Sequence, residues 1–273
     1  MKERLERLTA LYSDIDIEYQ QQYSGPYKDL GGCDDNCIMI AGQKKDQISG
    51  YGRPVVMIGT DKMLKAHIER LYKISPRIVF MDFLENNRLS VVSRFLMQQG
   101  LVAEPYFTQI IDLRKSEAEL HSDIRKSYKS ICNSKLIDFS VVDVLRGIHL
   151  DMYGKETRNK QTWKLQDKMV SAGQAFVLSD KKETCAALFY HNKYSAYYAC
   201  CSSKGDSKTH PLIWEAMKIL KSRGVKTLEL GEQIFYGHQK NMNISRFKSG
   251  FGGTCYTRLL VRPNELKEKE NEM

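Results

Sequence analysis

Apolar and polar residues alternate most clearly between residues 173 and 201. The segments "GQAFVLSD", "TCAALFYH" and "KYSAYYACC" follow one another there, separated by the polar turns "DKKE" and "HNK". Short runs rich in β-branched and aromatic residues are typical of strands, and connections this short join antiparallel neighbours. The pattern therefore predicts a three-stranded antiparallel meander.

A helical period follows the strand predicted for "FTQIIDL". Ser116 and Glu119 have the spacing of a capping box, which predicts that one long helix starts at Ser116. The apolar residues that share its inward face are Leu120, Ile124, Tyr128 and Ile131. The cations left outside that face are Arg125, Lys126 and Lys129. This helix is therefore expected to carry a basic face.

The other segments predict an α/β (α+β) fold. Before residue 106 we expect an N-terminal helix, short strands over 23–53, a buried strand at 55–58, a helix over 63–72, the strand "RIVFMDFL" and a helix ended by Gly100. After the meander come a loop, a helix from Pro211 to Gly224, the strand "VKTLELG", a short helix and the strand "TCYTRLLVRP". We predict one domain over 1–105, a second over 106–263, and a charged tail over 264–273.

Composition indicates an ordinary globular chain. Of 273 residues, 42% are hydrophobic and 27% charged, and no apolar run is long enough to span a bilayer. The charged N-terminus does not resemble a secretory signal, so a cytoplasmic protein is expected. The seven cysteines show no disulfide framework, and Cys33 and Cys37 lack the second pair that a zinc site needs. Reduced thiols and no metal site are therefore predicted.

The net charge of +9 is the one unusual total. An excess of this kind commonly indicates an anionic partner, such as a phosphate-bearing cofactor, a nucleotide-linked substrate or RNA. A lysine-rich soluble surface explains the same number equally well. Charge alone leaves both interpretations open.

Two segments carry candidate chemistry. The stretch after residue 201 runs from a strand through a Gly/Ser/Lys loop into a helix N-terminus, where backbone N–H groups can hold a pyrophosphate. The candidate donor-binding residues of this loop are Lys204, Gly205, Ser207 and Lys208. An ordinary strand-to-helix connection would have the same pattern.

The second segment is "ISRFKSGFGG". Ile244, Phe247 and Phe251 have the spacing of core anchors, and Gly252 and Gly253 are expected to end the helix. Packing does not explain Lys248, which stands two positions after Arg246. A solvated cation near a helix C-terminus is the simpler interpretation of Lys248, because the helix dipole favours a positive charge there.

Several familiar motifs are absent from the sequence. There is no GxSxG, GxGxxG, HExxH or EF-hand loop. The only Gly-Lys that resembles a P-loop has glycines seven positions apart instead of five and is followed by Glu156. Nucleotide hydrolysis is excluded on these grounds.

The segments "TQIIDLRKSEAELHSDIRKSYKSI", the meander, "LIWEAMKILKSRGVKTLELG" and "ISRFKSGFGG" occur in the order seen in the Fem family of peptidoglycan aminoacyl transferases and their GNAT-like relatives. The chain resembles that family over about residues 50–262. The turn "GYGRP" is similar to one in shorter bacterial members that accompany surface-polysaccharide genes. Two departures are its short length and the missing helical-hairpin insertion, and the usual coenzyme A fingerprint is also absent.

The resemblance implies two GNAT-like subdomains, each a mixed, largely antiparallel sheet flanked by helices, with donor and acceptor meeting on the second. It also implies that Lys248, directly after Phe247, lies by the transferred carbonyl group. An ammonium placed there stabilises the negative charge that builds on the carbonyl oxygen during attack by an amine, so no covalent nucleophile is required.

Further roles are assigned by position. Glu232 or His238 is expected to be the base or to position the amine, and Tyr236 to contact substrate or act as an acid. Phe247 and Arg246 are added to the donor site. The residues assigned to the acceptor or to tRNA are Arg125, Lys126, Lys129 and Tyr198, although packing in the meander explains Tyr198 as well.

The leading hypothesis is an N-acyltransferase that moves an aminoacyl or acyl group onto an amine of a cell-envelope precursor, by direct attack. Aminoacyl-tRNA or acyl-CoA is the expected co-substrate, with no tightly bound cofactor, and tRNA would account for the excess of cations. The remaining partner expectations are peripheral association with a membrane and no contact with DNA. An acyl-CoA-dependent N-acetyltransferase that acts on an amino sugar or an amino acid is the alternative within the enzyme class. A non-enzymatic RNA-binding protein is the other class, and its basic surface would be Arg125, Lys126, Lys129, Lys155, Arg158 and Lys160.

Overall fold

The computed structural model describes residues 1–33, 36–133 and 137–264. The chain divides into two compact units, which are discontinuous in sequence. The first unit contains residues 1–5, 20–106 and the described chain from residue 257 on, and the second contains 6–19 and 107–256. The predicted charged tail lies outside the described residues, except for Asn264.

Helices and short strands alternate up to residue 112. The helices are α1 (Lys2–Leu8), α2 (Asp14–Ser24), α3 (Asp61–Ile74) and α4 (Val91–Gln98), with a 3₁₀ turn at Glu85–Asn87. The strands are β1 (Lys28–Asp29), β2 (Gly32–Cys33), β3 (Cys37–Ile40), β4 (Gly42–Lys44), β5 (Gln47–Ser49), β6 (Val56–Gly59), β7 (Arg77–Ile78), β8 (Phe80–Asp82) and β9 (Val102–Asp112).

The second half of the chain has longer elements. Its helices are α5 (Glu117–Asp123), α6 (Lys126–Cys132), α7 (Val142–Tyr153), α8 (Lys160–Ser171), α9 (His210–Ser222) and α10 (Gln239–Ser249). Its strands are β10 (Ile137–Ser140), β11 (Ala175–Asp180), β12 (Cys185–His191), β13 (Ser195–Ser203), β14 (Thr227–Glu232) and β15 (Thr254–Arg262). The mixed α/β class is therefore confirmed.

The first unit contains small sheets, helices α3 and α4, and parts of α1 and α2. The described strands pair in the orders β1-β4-β5-β7 and β2-β3-β6, and β8 pairs with β15 in antiparallel fashion. Helices α3 and α4 bury Ile68, Leu71 and Leu96 against the strand residues Ile48 and Phe80. One continuous apolar core results, because these elements each turn an apolar face inward.

The sheet of the second unit runs in the order β10-β11-β12-β13-β14-β9, with the start of β15 next to β9. Strands β11, β12 and β13 are the predicted antiparallel meander. Alternate residues of β11 enter different cores: Phe176 packs with α5, α6 and α9, whereas Val177 packs with α7 and α8. Alternate side chains of a strand point to opposite faces of its sheet. Helices α5, α6 and α9 therefore cover one face, and α7 and α8 cover the other.

The long helix predicted from Ser116 is wrong in one respect. The capping box of Ser116 and Glu119 is present and starts α5, but α5 ends at Asp123 and a separate helix begins at Lys126. Ile124 and Arg125 are extended between them, and the Arg125 N–H donates to the carbonyl oxygen of Gly250 at 2.8 Å. This bond to a distant loop replaces a hydrogen bond within the helix.

The anchoring predicted for "ISRFKSGFGG" is only partly correct. Phe251 is fully buried and Phe247 packs partly buried on the same core, but Ile244 is 42% exposed. The helix ends at Ser249, so Phe251 lies beyond it and the predicted helical spacing does not extend that far. Ser245 is the buried residue of α10 instead, and its hydroxyl accepts a hydrogen bond from the Ile234 N–H at 2.7 Å.

Gly253 is expected to be the least replaceable glycine near this segment. Its φ is +81°, and a Cβ there would lie 2.4 Å from the carbonyl oxygen of Ile110. We predict that Gly253→Ala lowers the free energy of unfolding in urea by about 3 kcal/mol or more.

Gly173→Ala is the matched control for this prediction. Gly173 also has a positive φ, +68°, but an added Cβ would meet no atom within 4 Å. Its loss of stability should be only about 1–2 kcal/mol, the cost of the backbone conformation alone. Equal losses in the two variants would show that the close approach to Ile110 does not matter.

Candidate active site

The candidate site lies where two parallel strands of the second unit stop pairing. The register of β13 and β14 runs from Ser195 opposite Thr227 to Tyr197 opposite Glu229. Both strands continue, β13 to Ser203 and β14 to Glu232, without further pairing between them in the described chain. On its other side β14 pairs with β9, with a bulge between Glu229 and Gly231. The end of β14 is therefore bent and open toward β13.

Lys248 reaches this open end from α10. Its Nζ donates to the carbonyl oxygen of Glu232 at 3.2 Å. A Cβ on Gly231 would lie 3.4 Å from that Nζ and 3.0 Å from the Tyr197 hydroxyl oxygen. Gly231 also has a φ of +84°, which favours glycine. The glycine therefore allows the lysine and the tyrosine to approach the bulged strand.

Burial lowers the pKa of the half-buried Lys248 ammonium, and the carboxylates of Glu232 and Glu229 oppose that shift. Glu229 is only 6% exposed, and its carboxylate accepts a hydrogen bond from Thr108 Oγ1 at 2.7 Å. A buried carboxylate is screened less by water than the exposed one of Glu232. Glu229 is therefore well placed to keep the ammonium charged.

The thiol of Cys201 lies on β13 close to Lys248. The residue is exposed, but enough protein surrounds the sulfur that burial raises the pKa of the thiol to about 11, with the Tyr198 hydroxyl and the Lys248 ammonium acting in the opposite direction. A thiol with so high a pKa is almost entirely protonated at neutral pH. Cys201 is therefore a poor nucleophile.

Tyr198 lies next to this thiol and is 8% exposed. Its ring packs against Phe189, with ring centroids 5.4 Å apart. Burial raises the pKa of its hydroxyl well above the ordinary value. The packing interpretation of Tyr198 thus describes its ring, and its hydroxyl oxygen is buried as well.

Aromatic rings support α10 from the side of α6 and α9. The Phe247 ring lies 4.9 Å from that of His210, which in turn lies 4.2 Å from that of Tyr128. Burial lowers the pKa of His210, so its imidazole is neutral at pH 7. The Arg125 guanidinium stacks 5.0 Å from the Tyr128 ring centroid and donates to the carbonyl oxygen of Arg246 at 3.2 Å. Arg125 and Arg246 are therefore close neighbours.

The other predicted catalytic residues take different positions. The carboxylate of Glu232 is exposed at the end of β14. His238 is the N-cap of α10, and its Nδ1 accepts a hydrogen bond from the Lys240 N–H at 3.2 Å. Tyr236 is 82% exposed. Lys248 hydrogen-bonds the backbone carbonyl oxygen of Glu232 and not its carboxylate, and His238 caps α10.

The predicted donor loop connects β13 to α9. Lys204 forms an ion pair with Asp151 at 2.6 Å, and the Ser207 hydroxyl donates to Thr184 at 2.7 Å. Gly205 has a φ of +51°, and Lys208 is exposed. Two of the four loop residues thus already have protein partners.

The predicted basic residues fall in two places. Lys126 is exposed at the start of α6, and Lys129 donates to the carbonyl oxygen of Ser122 at 3.1 Å. Lys155 and Lys160 are exposed near α8, whereas the Arg158 guanidinium stacks 4.9 Å from the Trp163 ring centroid. In the described ranges no cluster of three or more His, Cys, Asp or Glu side chains could hold a metal ion. None of the described helices is long and apolar enough to cross a membrane.

Three residues around Lys248 and Glu229 were not assigned roles from the sequence: Thr108, Cys201 and Gly231. They come from three strands that are distant in the chain, so no local pattern brings them together. Glu229 carried a signal, since it is a carboxylate between two buried leucines on an otherwise apolar strand. Leu228 and Leu230 do enter the core, and Glu229 lies beside Lys248 instead.

No protein-family model matches the chain, and no curated protein does. Among solved structures, L-PGS from Bacillus licheniformis has a TM-score of 0.62 at 11% identity, over 93% of this chain and 88% of that one. FemX has a TM-score of 0.59 at 11% identity, over 96% of this chain and 99% of FemX. A tandem GNAT protein from the clavulanic acid biosynthesis pathway has a TM-score of 0.50 at 10% identity, over 94% of this chain and 91% of that one. The chain therefore has a GNAT-like fold.

The charge state of Lys248 gives a direct test of the site. We predict that its pKa lies below the ordinary value for lysine and falls further in Glu229→Gln, because a negative charge that favours the ammonium is removed. The measurement is a pH titration by NMR of ¹³C-methylated lysines, with the Lys248 signal assigned from Lys248→Arg.

Glu215→Gln serves as the control, since Glu215 pairs with Lys218 on α9. It should leave the pKa of Lys248 unchanged. A pKa of Lys248 that is unchanged or higher in Glu229→Gln would contradict the arrangement described here.

Proposed function

We propose that this protein is an N-acyltransferase in which Lys248 stabilises the transition state of direct transfer to an amine. The observation that carries the proposal is a half-buried ammonium at the open end of two parallel strands. A cation desolvated in this way interacts strongly with charge that develops beside it. The GNAT-like fold and the resemblance to Fem proteins support the same reaction class.

The proposed reaction forms one bond and breaks one. The amine nitrogen attacks the carbonyl carbon of the donor, and the negative charge that builds on the carbonyl oxygen faces Lys248. The C–O or C–S bond to the donor then breaks, and a new C–N bond remains. The proton lost by the amine passes through the exposed Glu232 carboxylate to the leaving oxygen or sulfur. The protonated thiol of Cys201 supports transfer without a covalent intermediate on the protein.

Aminoacyl-tRNA is the donor that the charges favour. Lys204 and Ser207, which would face a pyrophosphate, already bind Asp151 and Thr184. Arg125 and Arg246 lie together beside the C-terminal turn of α10, and Lys126 is exposed next to them in sequence. Cations along one surface attract the phosphates of a nucleic acid. We propose that the acceptor is an amine of a cell-envelope precursor, as the resemblance to Fem proteins implies.

Removal of the ammonium tests the role of Lys248. Lys248→Met keeps most of the side-chain volume and loses the charge, so the rate of acyl transfer should fall roughly 100- to 1,000-fold. Lys248→Arg should retain part of the activity, because it keeps a cation. The measurement is the rate of product formation with purified protein, donor and acceptor.

Two controls accompany this experiment. Lys164→Met removes an exposed cation of α8 and should leave the rate unchanged. Cys201→Ala should retain most of the activity, since no acyl-cysteine is formed. A Lys248→Met variant with the rate of the unmodified protein would reject the proposed mechanism, and a trapped thioester on Cys201 would replace it by a covalent one.

The donor class is tested by separate incubation with charged tRNA and with acyl-CoA pools. We predict release of uncharged tRNA and no release of free thiol. Lys126→Glu should raise the KM for aminoacyl-tRNA and weaken its salt dependence, because one phosphate contact is lost. Lys164→Glu, which makes the same charge change on α8, should leave KM unchanged. Activity with acyl-CoA alone would identify the acyl-CoA-dependent alternative.

A further inference from the structure

Large apolar side chains are exposed immediately beside the candidate active site. Beyond the end of β14 the chain forms a loop over residues 233–238 and then enters α10. Phe235 is 61% exposed and Tyr236 is 82% exposed in this loop, and Ile244 on α10 is 42% exposed. Together with the exposed Lys240, Phe235, Tyr236 and Ile244 form a surface that we name the aromatic rim.

The loop and the helix lie side by side. The Ile234 N–H donates to Ser245 Oγ at 2.7 Å, which holds the loop along α10. Lys240, Ile244 and Lys248 are spaced four residues apart, so they share one face of the helix. On this face of α10, Lys248 contacts the end of β14. Ile244 and Lys240 lie further along the same face and are exposed. The rim and the candidate active site are therefore parts of one surface.

The charge of this part of the chain is entirely positive. Within the second unit, residues 233–256 contain no aspartate or glutamate. The cations of the same stretch are Lys240, Arg246 and Lys248. Glu232 directly precedes it and is the acidic group nearest in sequence. A surface of this composition complements an anionic partner that also has apolar parts.

We propose that the aromatic rim is a docking surface for the face of an anionic lipid bilayer. Phenylalanine and tyrosine insert at the boundary between headgroups and acyl chains, where an apolar ring and a polar hydroxyl are both satisfied. Lys240 contacts the anionic headgroups, which attract cations near the surface. The aliphatic side chain of Ile244 favours lipid over RNA, because an aliphatic group does not stack on bases as a ring does.

Docking in this way places Lys248 toward the membrane side of the protein. An acceptor held at the bilayer surface would then present its amine to the transfer site, a consequence that rests on the proposed function. Vesicle binding itself does not depend on that function, because it requires no donor and no turnover. The two proposals therefore succeed or fail separately.

The test is co-flotation of the full chain with vesicles of phosphatidylcholine, with and without phosphatidylglycerol. We expect binding to the anionic vesicles only, and weaker binding at high salt. Phe235→Ser should lower the affinity about tenfold, because one apolar ring no longer inserts. Phe139→Ser is the matched control: Phe139 is 60% exposed and, like Phe235, has an edge-on contact with another phenylalanine. It should bind vesicles as the unmodified protein does.

Phe235→Trp provides a second measurement that does not depend on loss of binding. The native Trp163 and Trp214 are buried. A new tryptophan in the loop should therefore account for most of the change in tryptophan fluorescence when vesicles are added. We expect a blue shift of its emission with anionic vesicles. The proposal is overturned if the full chain does not float with anionic vesicles, if Phe139→Ser loses as much binding as Phe235→Ser, or if Phe235→Ser impairs binding to tRNA and not to vesicles.

Discussion

Strands β13 and β14 pair through Tyr197 and Glu229 and then separate, and the candidate site depends on this separation. A continuous ladder would leave no room beside the end of β14. The bulge at Glu229 and Gly231 bends that strand further, and the positive φ of Gly231 allows Lys248 and Tyr197 to approach it. The partly desolvated ammonium, the buried carboxylate of Glu229 and the carbonyl of Glu232 meet there because the backbone is irregular.

Much of the fold could be predicted because its signals are local. The meander, the capping box at Ser116 and the helix around Trp214 each follow from residues adjacent in sequence. The break between α5 and α6 could not be predicted from local sequence, since the Arg125 N–H there donates to the carbonyl oxygen of Gly250, a residue distant in the chain. A Cβ on Gly250 would also lie 2.1 Å from the Tyr128 ring. The glycines of "ISRFKSGFGG" therefore permit close packing against the break as well as a turn.

Of the candidate site, the sequence singled out Lys248 because it stands in a compact motif. Lys248 followed from its position after Phe247 in a segment that packing did not explain. The groups that shift its pKa, Glu229, Glu232 and Cys201, lie on β14 and β13, and only the folded chain brings them together with Thr108 of β9. His238, predicted as a base or as a residue that positions the amine, is the N-cap of α10 in the structure. Residue type and proximity in sequence did not distinguish Lys248, which approaches the end of β14, from His238, which caps a helix.

If Lys248 stabilises the transition state of transfer, its ammonium must face the carbonyl oxygen of the transferred group. The most direct test is a crystal structure of the protein with a non-hydrolysable aminoacyl-adenosine analogue of the donor. We expect the carbonyl oxygen of the analogue to lie about 3 Å from Lys248 Nζ, at the open end of β13 and β14. An analogue bound elsewhere, or with its carbonyl oxygen turned away from Lys248, would contradict it.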